Sequence, residues 1–461
     1  MLFMTLIIVA VVLIGFMLMS TEQITHLNRA AVAMFCGVIA CVLYMFRASD
    51  FIELMHPEEY VNFLAGSNST TDFVKQFVAD HVLTKYIAEA CSVILFIIAT
   101  NTTMEVLNNN GVFDPLTRWL RMRNSKLFLW ILSILTFVIS FNVDNLTTVV
   151  LMMSLVSRIV RSHSQRLVYS CVILVSASLG GCCSVIGDMT SLALWVRGVV
   201  TPTAFFSGLI FPCLASLVVF NLLMGATLQG RVEVVSLFDA YDGDDSTLSG
   251  WQKAVMLVLG ILGLWFIPTF HHLTKLPPFI GALCVLSLIW LVEGLFNMKR
   301  NLISVFVQRH YFRNTEFIGT RIILYFLGVC LSVGILTECG ALRFVGDWLR
   351  DNVHNVYIYG LGTGLLSCVV DNVPIVLMGL NMFPLDETLD STSEFVQNGV
   401  YWQMLSYCCA MGGALLFIGT LAGQAVLQVA KVHLSWYFKH YFWRVFLSWI
   451  VGIIVFSLIH I

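Results

Sequence analysis

The chain has 461 residues, 58% of them hydrophobic and only 11% charged, with a formal net charge of −2. A soluble domain carries about 25% charged residues, so this composition excludes an ordinary cytosolic globule and points to a membrane. The near-neutral charge gives no basis for nucleic-acid binding.

The opening stretch, MLFMTLIIVAVVLIGFMLMS, has neither a basic n-region nor an A-x-A cleavage site, so it is expected to be a retained first helix over 2–19. Apolar runs of transmembrane length follow at 29–46, 84–106, 127–160, 167–200 and 203–227. A polar loop, RVEVVSLFDAYDGDDSTLSG, covers 231–250. Runs resume at 253–269, 276–296, 319–337, 354–382, 401–430 and 441–461. The expectation is an all-α polytopic membrane protein, one transmembrane transporter domain over 1–461.

The second six runs repeat the order of the first six. FNVDNLTT at 141–148 corresponds to CVVDNVPI at 368–375, and SLGGCCSVIGDMTS at 178–191 to AMGGALLFIGTLAG at 410–423. Gly181 stands to Gly187 as Gly413 stands to Gly419. This is an internal duplication, with halves at 1–230 and 253–461 and a linker at 231–252. If each long run returns to its own side, 18 of the 25 Lys and Arg residues, Arg29 among them, share one side with that linker. The bias makes that side cytoplasmic. Each half then crosses five times, so the second is inverted relative to the first. Inverted repeats with broken helices near the midplane are a recurring plan of secondary transporters.

Asp144 lies inside the run 127–160, where a charged side chain costs roughly 2.5–3.5 kcal/mol on insertion scales. Two arms, 127–143 and 145–160, are each about 25 Å long, slightly short of the hydrocarbon core. The turn at Val143-Asp144-Asn145 is therefore a deep re-entrant hairpin or the joint of two short spans. Asp144 and Asp371 suit helix caps, and Pro374 suits a first turn. Ser or Asn would cap without bringing a charge, so carboxylates at both duplicated positions point to cation binding. In the second element, Gly180, Gly181 and Gly187 precede Asp188, and Thr420 takes the corresponding place in the other half. Backbone breaks are expected at Gly181, Gly187, Gly413 and Gly419, freeing carbonyls that can ligate a cation.

Asp144, Asn145, Thr147, Thr148, Asp188, Thr190, Asp371, Asn372 and Thr420 supply hard oxygen ligands for ion and proton. The thirteen cysteines show no C-x-x-C and are read as small buried hydrophobes. No Walker A loop suggests ATP-driven pumping.

These motifs, Asp144-Asn-Leu-Thr-Thr148, Gly180-Gly181 with Ile186-Gly187-Asp188, Asp371-Asn-Val-Pro374 and Gly412-Gly413 with Ile418-Gly419-Thr420, resemble the NhaD-type sodium/proton antiporters of the ion-transporter superfamily. The resemblance runs from about residue 84 to the end. It implies a re-entrant hairpin and a discontinuous helix in each half, and exchange of protons for Na+ or Li+. It carries family acidic positions to Asp144, Asp188 and Asp371, with Glu89 in YIAEACSVILF as an additional one. The family often has proline ahead of the Ile-Gly-Asp triplet where this chain has Val185. Dicarboxylate carriers of the same superfamily resemble this architecture but carry Ser-Asn-Thr at the tips; paired carboxylates would repel an anion.

The expected activity is secondary antiport of Na+ or Li+ against H+ by alternating access, with Na+ at Asp144, Asn145, Asp188, Asp371 and Asn372 and no enzymatic step. Ion and proton compete for the carboxylates. No cofactor is expected. The expected partners are membrane lipid and small inorganic cations, with a homodimer allowed and nucleic acid excluded, in a bacterial-type cytoplasmic (inner) membrane. The rivals are carriage of arsenite or an organic anion on the same architecture, an intramembrane aspartyl protease (whose Gly-x-Gly-Asp is missing here) and a passive channel. Glu293 and Glu338 are expected at the interface, His271-His272 in a solvated turn, and Arg343 and Arg350 on a surface amphipathic segment.

Overall fold

The computed structural model describes residues 2–65, 68–120, 122–228, 230–233, 248–297, 312–385, 394–430 and 434–460. The middle of the linker, with DAYDGDD at 239–245, lies outside the described residues, as do Arg121, Lys299, Arg300, Arg309, Lys431 and most of FPLDETLDSTSE. Among the described residues all regular structure is helical. Ten helices among the described residues are long and apolar enough to cross a membrane, or eleven if Arg29–Met45 and Ala48–Met55, bent by 88°, form one span.

The helices begin where the sequence supplies caps. Asn28 accepts a hydrogen bond from the Ala30 amide, Asn124 from Lys126 and Leu127, and Asn355 from Tyr357. Ser249 and Gln252 form a capping box that starts Gly250–Thr274, so the linker ends at Ser249, a few residues before the expected boundary. The polar stretch 47–83, for which the sequence suggested no element, holds the short helices Ala48–Met55, Pro57–Leu64 and Thr71–Phe77.

Burial separates interior from periphery. In the apolar part of Val400–Ala430, 83% of residues are buried, and 78% in His163–Cys182; the figure falls to 22% in Gly250–Thr274 and 28% in Leu2–Ser20. The peripheral helices expose Leu6, Leu13, Leu262, Trp265 and Phe266, the surface a hydrocarbon solvent covers. Helix Ala341–Asn352 is amphipathic, burying Leu342 and Gly346 while Phe344 and Trp348 face outward. His271, at the end of Gly250–Thr274, packs edge-on to Trp195 and bonds the Leu276 carbonyl.

Both long runs are helix pairs. In the first, Ser125–Asn142 gives way to extended backbone at Val143 and Asp144, and Asn145–Ile159 follows. In the second, Val356–Ser367 is followed by Asn372–Met382. The runs 167–200 and 401–430 are broken helices: His163–Cys182 with Met189–Val196, and Val400–Leu416 with Leu421–Ala430.

Each helix pair leans on its broken helix through the same contacts. Ser140 Oγ donates to the Ala177 carbonyl at 2.7 Å, and Ser367 Oγ to the Cys409 carbonyl at 2.9 Å. Gly180 lies against the Phe137 carbonyl and Gly412 against that of Gly364, each too close for a Cβ. Gly187 approaches the Ser140 carbonyl, and Gly419 that of Ser367, in the same way. The duplicated motifs therefore make duplicated contacts.

Two expected breaks move. Gly181 and Gly413 are helical, and the helices end later, at Cys182 and Leu416. Gly181 and Gly413 serve close packing instead, against the carbonyls of Gly187 and Gly419. Only Gly187 and Gly419 lie within the interruptions.

Candidate functional site

Asp144 and Asp371 cap the second helix of each pair. One oxygen of Asp144 accepts from the Leu146 amide at 3.1 Å, and one of Asp371 from the Val373 amide at 3.2 Å. Pro374 stands in the first turn, as expected. Both carboxylates are almost wholly buried, 4% and 3% exposed. Their remaining oxygens differ. Asp144 Oδ1 has no hydrogen-bond partner, whereas Asp371 Oδ2 accepts from Arg29 Nη1 at 2.8 Å.

Asp188, also buried, is reached from the second helix pair. Thr190 Oγ1 donates to its Oδ2 at 2.5 Å, and Asn372 Nδ2 reaches the same oxygen at 3.4 Å. The Asn145 side chain also lies beside Asp188. The amides following both Asp caps thus converge on one carboxylate. Asp188 also lies within Coulombic reach of Asp144 and Asp371. Among the described residues, no Lys, Arg or His is ion-paired with Asp144 or Asp188.

The other expected ligands divide. Thr148 is fully buried, its hydroxyl 3.5 Å from the Val143 carbonyl. Thr147 turns toward Asn101, donating to Oδ1 at 2.9 Å. Thr420 is buried and accepts from the Gly423 amide at 2.9 Å, so it opens the helix after the second break. The Asn372 amide also donates to the Gly419 carbonyl at 3.1 Å. Glu89 stands apart, paired with Arg197 at 2.9 Å, and Arg197 reaches Asn381 at 2.9 Å. These three line a cleft with Tyr86, Ala193 and Leu377. Ala193 and Leu377 each follow a site residue, Asp188 and Asn372, by five positions, about 7.5 Å along a helix.

Two residues depart from their expected places because packing, not hydropathy, decides the fate of a charge at a run's end. Arg29, assigned to the cytoplasmic surface, is buried at the site; its guanidinium meets Asp371, Glu22 at 3.3 Å, the Ile418 carbonyl at 3.4 Å and the Tyr325 ring. Glu338, expected at the interface, is 3% exposed and accepts from the Tyr86 hydroxyl at 2.7 Å, with His56 Nε2 at 2.7 Å. Glu293 is bonded by Asn110 Nδ2 at 2.8 Å.

All thirteen cysteines are free, ten of them buried. No group of three or more His, Cys, Asp and Glu side chains placed to hold a metal ion occurs among the described residues. The arrangement offers carboxylate, amide and hydroxyl oxygens, chemistry suited to a hard monovalent cation or a proton.

The sequence profile of the citrate transporter family matches residues 16–382. Sodium/proton antiporter 1 of Arabidopsis thaliana is 29% identical over 378 residues, covering 81% of this chain and 62% of that protein. The chain thus spans less than two thirds of that relative's length. Sodium/proton antiporter 2 of the same plant is 28% identical over 380 residues, covering 81% of this chain and 86% of that protein. The Na(+)/H(+) antiporter NhaD of Vibrio cholerae is 28% identical over 418 residues, covering 83% and 81%.

Proposed function

The chain belongs to the citrate transporter family, and from that premise we propose that it exchanges Na+ or Li+ for H+. It is an integral multi-pass membrane protein, homologous to NhaD-type sodium/proton antiporters. The observation that carries the reading is the pair Asp144 and Asp188, both buried, neither ion-paired among the described residues, and Asp144 with an oxygen unpartnered among them. Two buried carboxylates without a counter-ion are costly, and the cost is relieved when they hold a proton or a metal cation. Competition between the two ions for one pair of carboxylates couples their movements.

A citrate or other anion would meet the opposite field. The basic side chains near the site are already engaged, Arg29 with Asp371 and Glu22 and Arg197 with Glu89. The acidic excess at Asp144 and Asp188 repels a polycarboxylate and attracts a cation. The names of the three relatives agree with the cation.

In this reading Asp144, Asn145, Thr148, Asp188, Thr190 and Asn372 surround the ion, and Asp371 with Thr420 completes the wall beyond Asn372. The repeated contacts of Ser140 and Ser367, and of Gly180 and Gly412, favour two structurally equivalent halves, 1–230 and 253–461, in inverted orientation. The helix pairs then act as re-entrant hairpins, and one bundle moves against the other to expose the site to each side in turn. The basic bias orients the linker 231–252 to the cytoplasm, in a bacterial-type inner membrane.

The test is Na+-dependent collapse of a pH gradient in everted vesicles. Asp144→Asn and Asp188→Asn each abolish it if the reading holds. Intact Na+-coupled proton movement in both variants, or movement of citrate without Na+, overturns it.

A further inference from the structure

Asp144 and Asp371 are duplicates in sequence and in backbone role, yet their free oxygens have opposite fates. The oxygen that Asp144 does not use for capping is buried and unpartnered, whereas its counterpart on Asp371 is held by Arg29 at 2.8 Å. Arg29 does more than pair with one carboxylate. Its Nη2 reaches the carbonyl of Ile418, in the second break, at 3.4 Å. A carboxylate at a helix-pair joint together with a carbonyl at a break is the ligand combination a bound cation would use. The guanidinium is 6% exposed, braced by Glu22 and lying over Tyr325 at 5.6 Å. It is supplied from outside both duplicated motifs, by the first turn of Arg29–Met45, where the Asn28 cap fixes the helix start.

We propose that Arg29 is a resident cation filling the second of two equivalent cation positions, so that the chain carries a single metal ion, at the Asp144 joint. The inference rests on the Na+/H+ exchange reading and specifies its stoichiometry. A guanidinium stays charged at every physiological pH and cannot leave with the substrate. Asp371 therefore keeps a fixed cation beside it throughout the cycle, and the exchangeable charge is confined to Asp144 and Asp188. Arg29 acts through Asp371 and is a positioning residue.

The test counts ions. Full-length protein is purified in detergent, bound Na+ is measured with radioactive sodium at alkaline pH, and protons released on Na+ addition are measured with an indicator dye. Wild type is expected to bind one Na+ per chain. Arg29→Gln frees Asp371 and is expected to bind two, with additional protons released and a steeper dependence on Na+ concentration. Arg29→Lys keeps a cation in place and is expected to return the count to one. A merely structural arginine would lower stability in both variants without raising the count in either.

Two Na+ per wild-type chain, or one Na+ and no additional proton release in folded Arg29→Gln, overturns the proposal. Should Arg29→Gln fail to give monodisperse protein, the counts in wild type and Arg29→Lys decide: one in each supports it, two in either overturns it. Wild type that couples Na+ to proton movement yet binds two Na+ removes only the role of Arg29. Wild type with neither Na+ binding nor Na+-coupled proton movement removes the exchange reading and this inference with it.

Discussion

Asn372 Nδ2 points at Asp188 Oδ2 across 3.4 Å, joining the second helix pair to the break in the first half. The two residues are 184 positions apart in the chain. A hydrogen bond to a charged group contributes roughly 1.5–3 kcal/mol. Replacing Asn372 with Ala removes that donor and leaves the backbone bond from residue 372 to the Gly419 carbonyl in place. The expected outcome is a rise in the KM for Na+ of about 10-fold or more, since each 1.4 kcal/mol is a factor of ten. Antiport rates against Na+ concentration in everted vesicles measure it, and a KM within twofold of wild type contradicts the contact.

Thr190 donates to that same Asp188 oxygen from the first turn of Met189–Val196. Here the hydroxyl matters and the methyl group does not. Thr190→Ser is expected to keep Na+ affinity near wild type, whereas Thr190→Val, similar in shape but unable to donate, is expected to weaken it by about 10-fold. Equal loss in both variants would assign the effect to packing.

The legible parts were those with a local signature. Asp144 and Asp371 stand out because a carboxylate inside an apolar run needs a compensating reason, and the duplicated Gly-Gly and Ile-Gly spacing located both broken helices. What stayed hidden depended on tertiary packing. Arg29 opens an apolar run and Glu338 closes one, places where hydropathy reads the same for a side chain reaching water and one folded into the bundle. Arg29 is drawn inward by Asp371, 342 residues away, and Glu338 by Tyr86, 252 residues away. Glycine weakens a helix, so sequence alone marks Gly181 and Gly413 as breaks, yet they permit close backbone contact within intact helices. The cleft at Glu89 has no signature in the sequence because its partner Arg197 lies at the far end of another run.

The glycine contacts make a stability prediction with an internal control. A Cβ at Gly412 would collide with the Gly364 carbonyl, which is backbone and cannot rotate away. Overpacking of this kind costs about 1–3 kcal/mol. Gly362, in Val356–Ser367, has nothing within 4 Å of a built Cβ. Gly412→Ala is expected to lower the melting temperature of the purified protein, and Gly180→Ala to do the same through Phe137. Gly362→Ala is expected to leave it unchanged or raise it, by up to about 1 kcal/mol of helix propensity. A Gly412→Ala variant as stable as Gly362→Ala would mean that the helices do not approach so closely.

His56 ties the short helices of 48–77 to the end of Phe312–Glu338. Its Nε2 lies 2.7 Å from Glu338, its Nδ1 lies 2.9 Å from Glu59, and the ring packs near Phe77. The hydrogen bond to Glu338 raises the imidazole pKa above its ordinary value, partial burial opposes the rise, and the charges of Glu338 and Glu59 add to it. A histidine whose folded pKa lies above its unfolded one stabilises the fold fully below about pH 6.5. That contribution is lost as pH climbs through the raised folded value. His56→Gln is therefore expected to lower the melting temperature clearly in mildly acidic buffer and by progressively less as the buffer becomes alkaline. Melting curves of both proteins across that range measure the difference. A gap that is constant with pH, or that widens toward alkaline buffer, would show that the charged His56–Glu338 pair does not form.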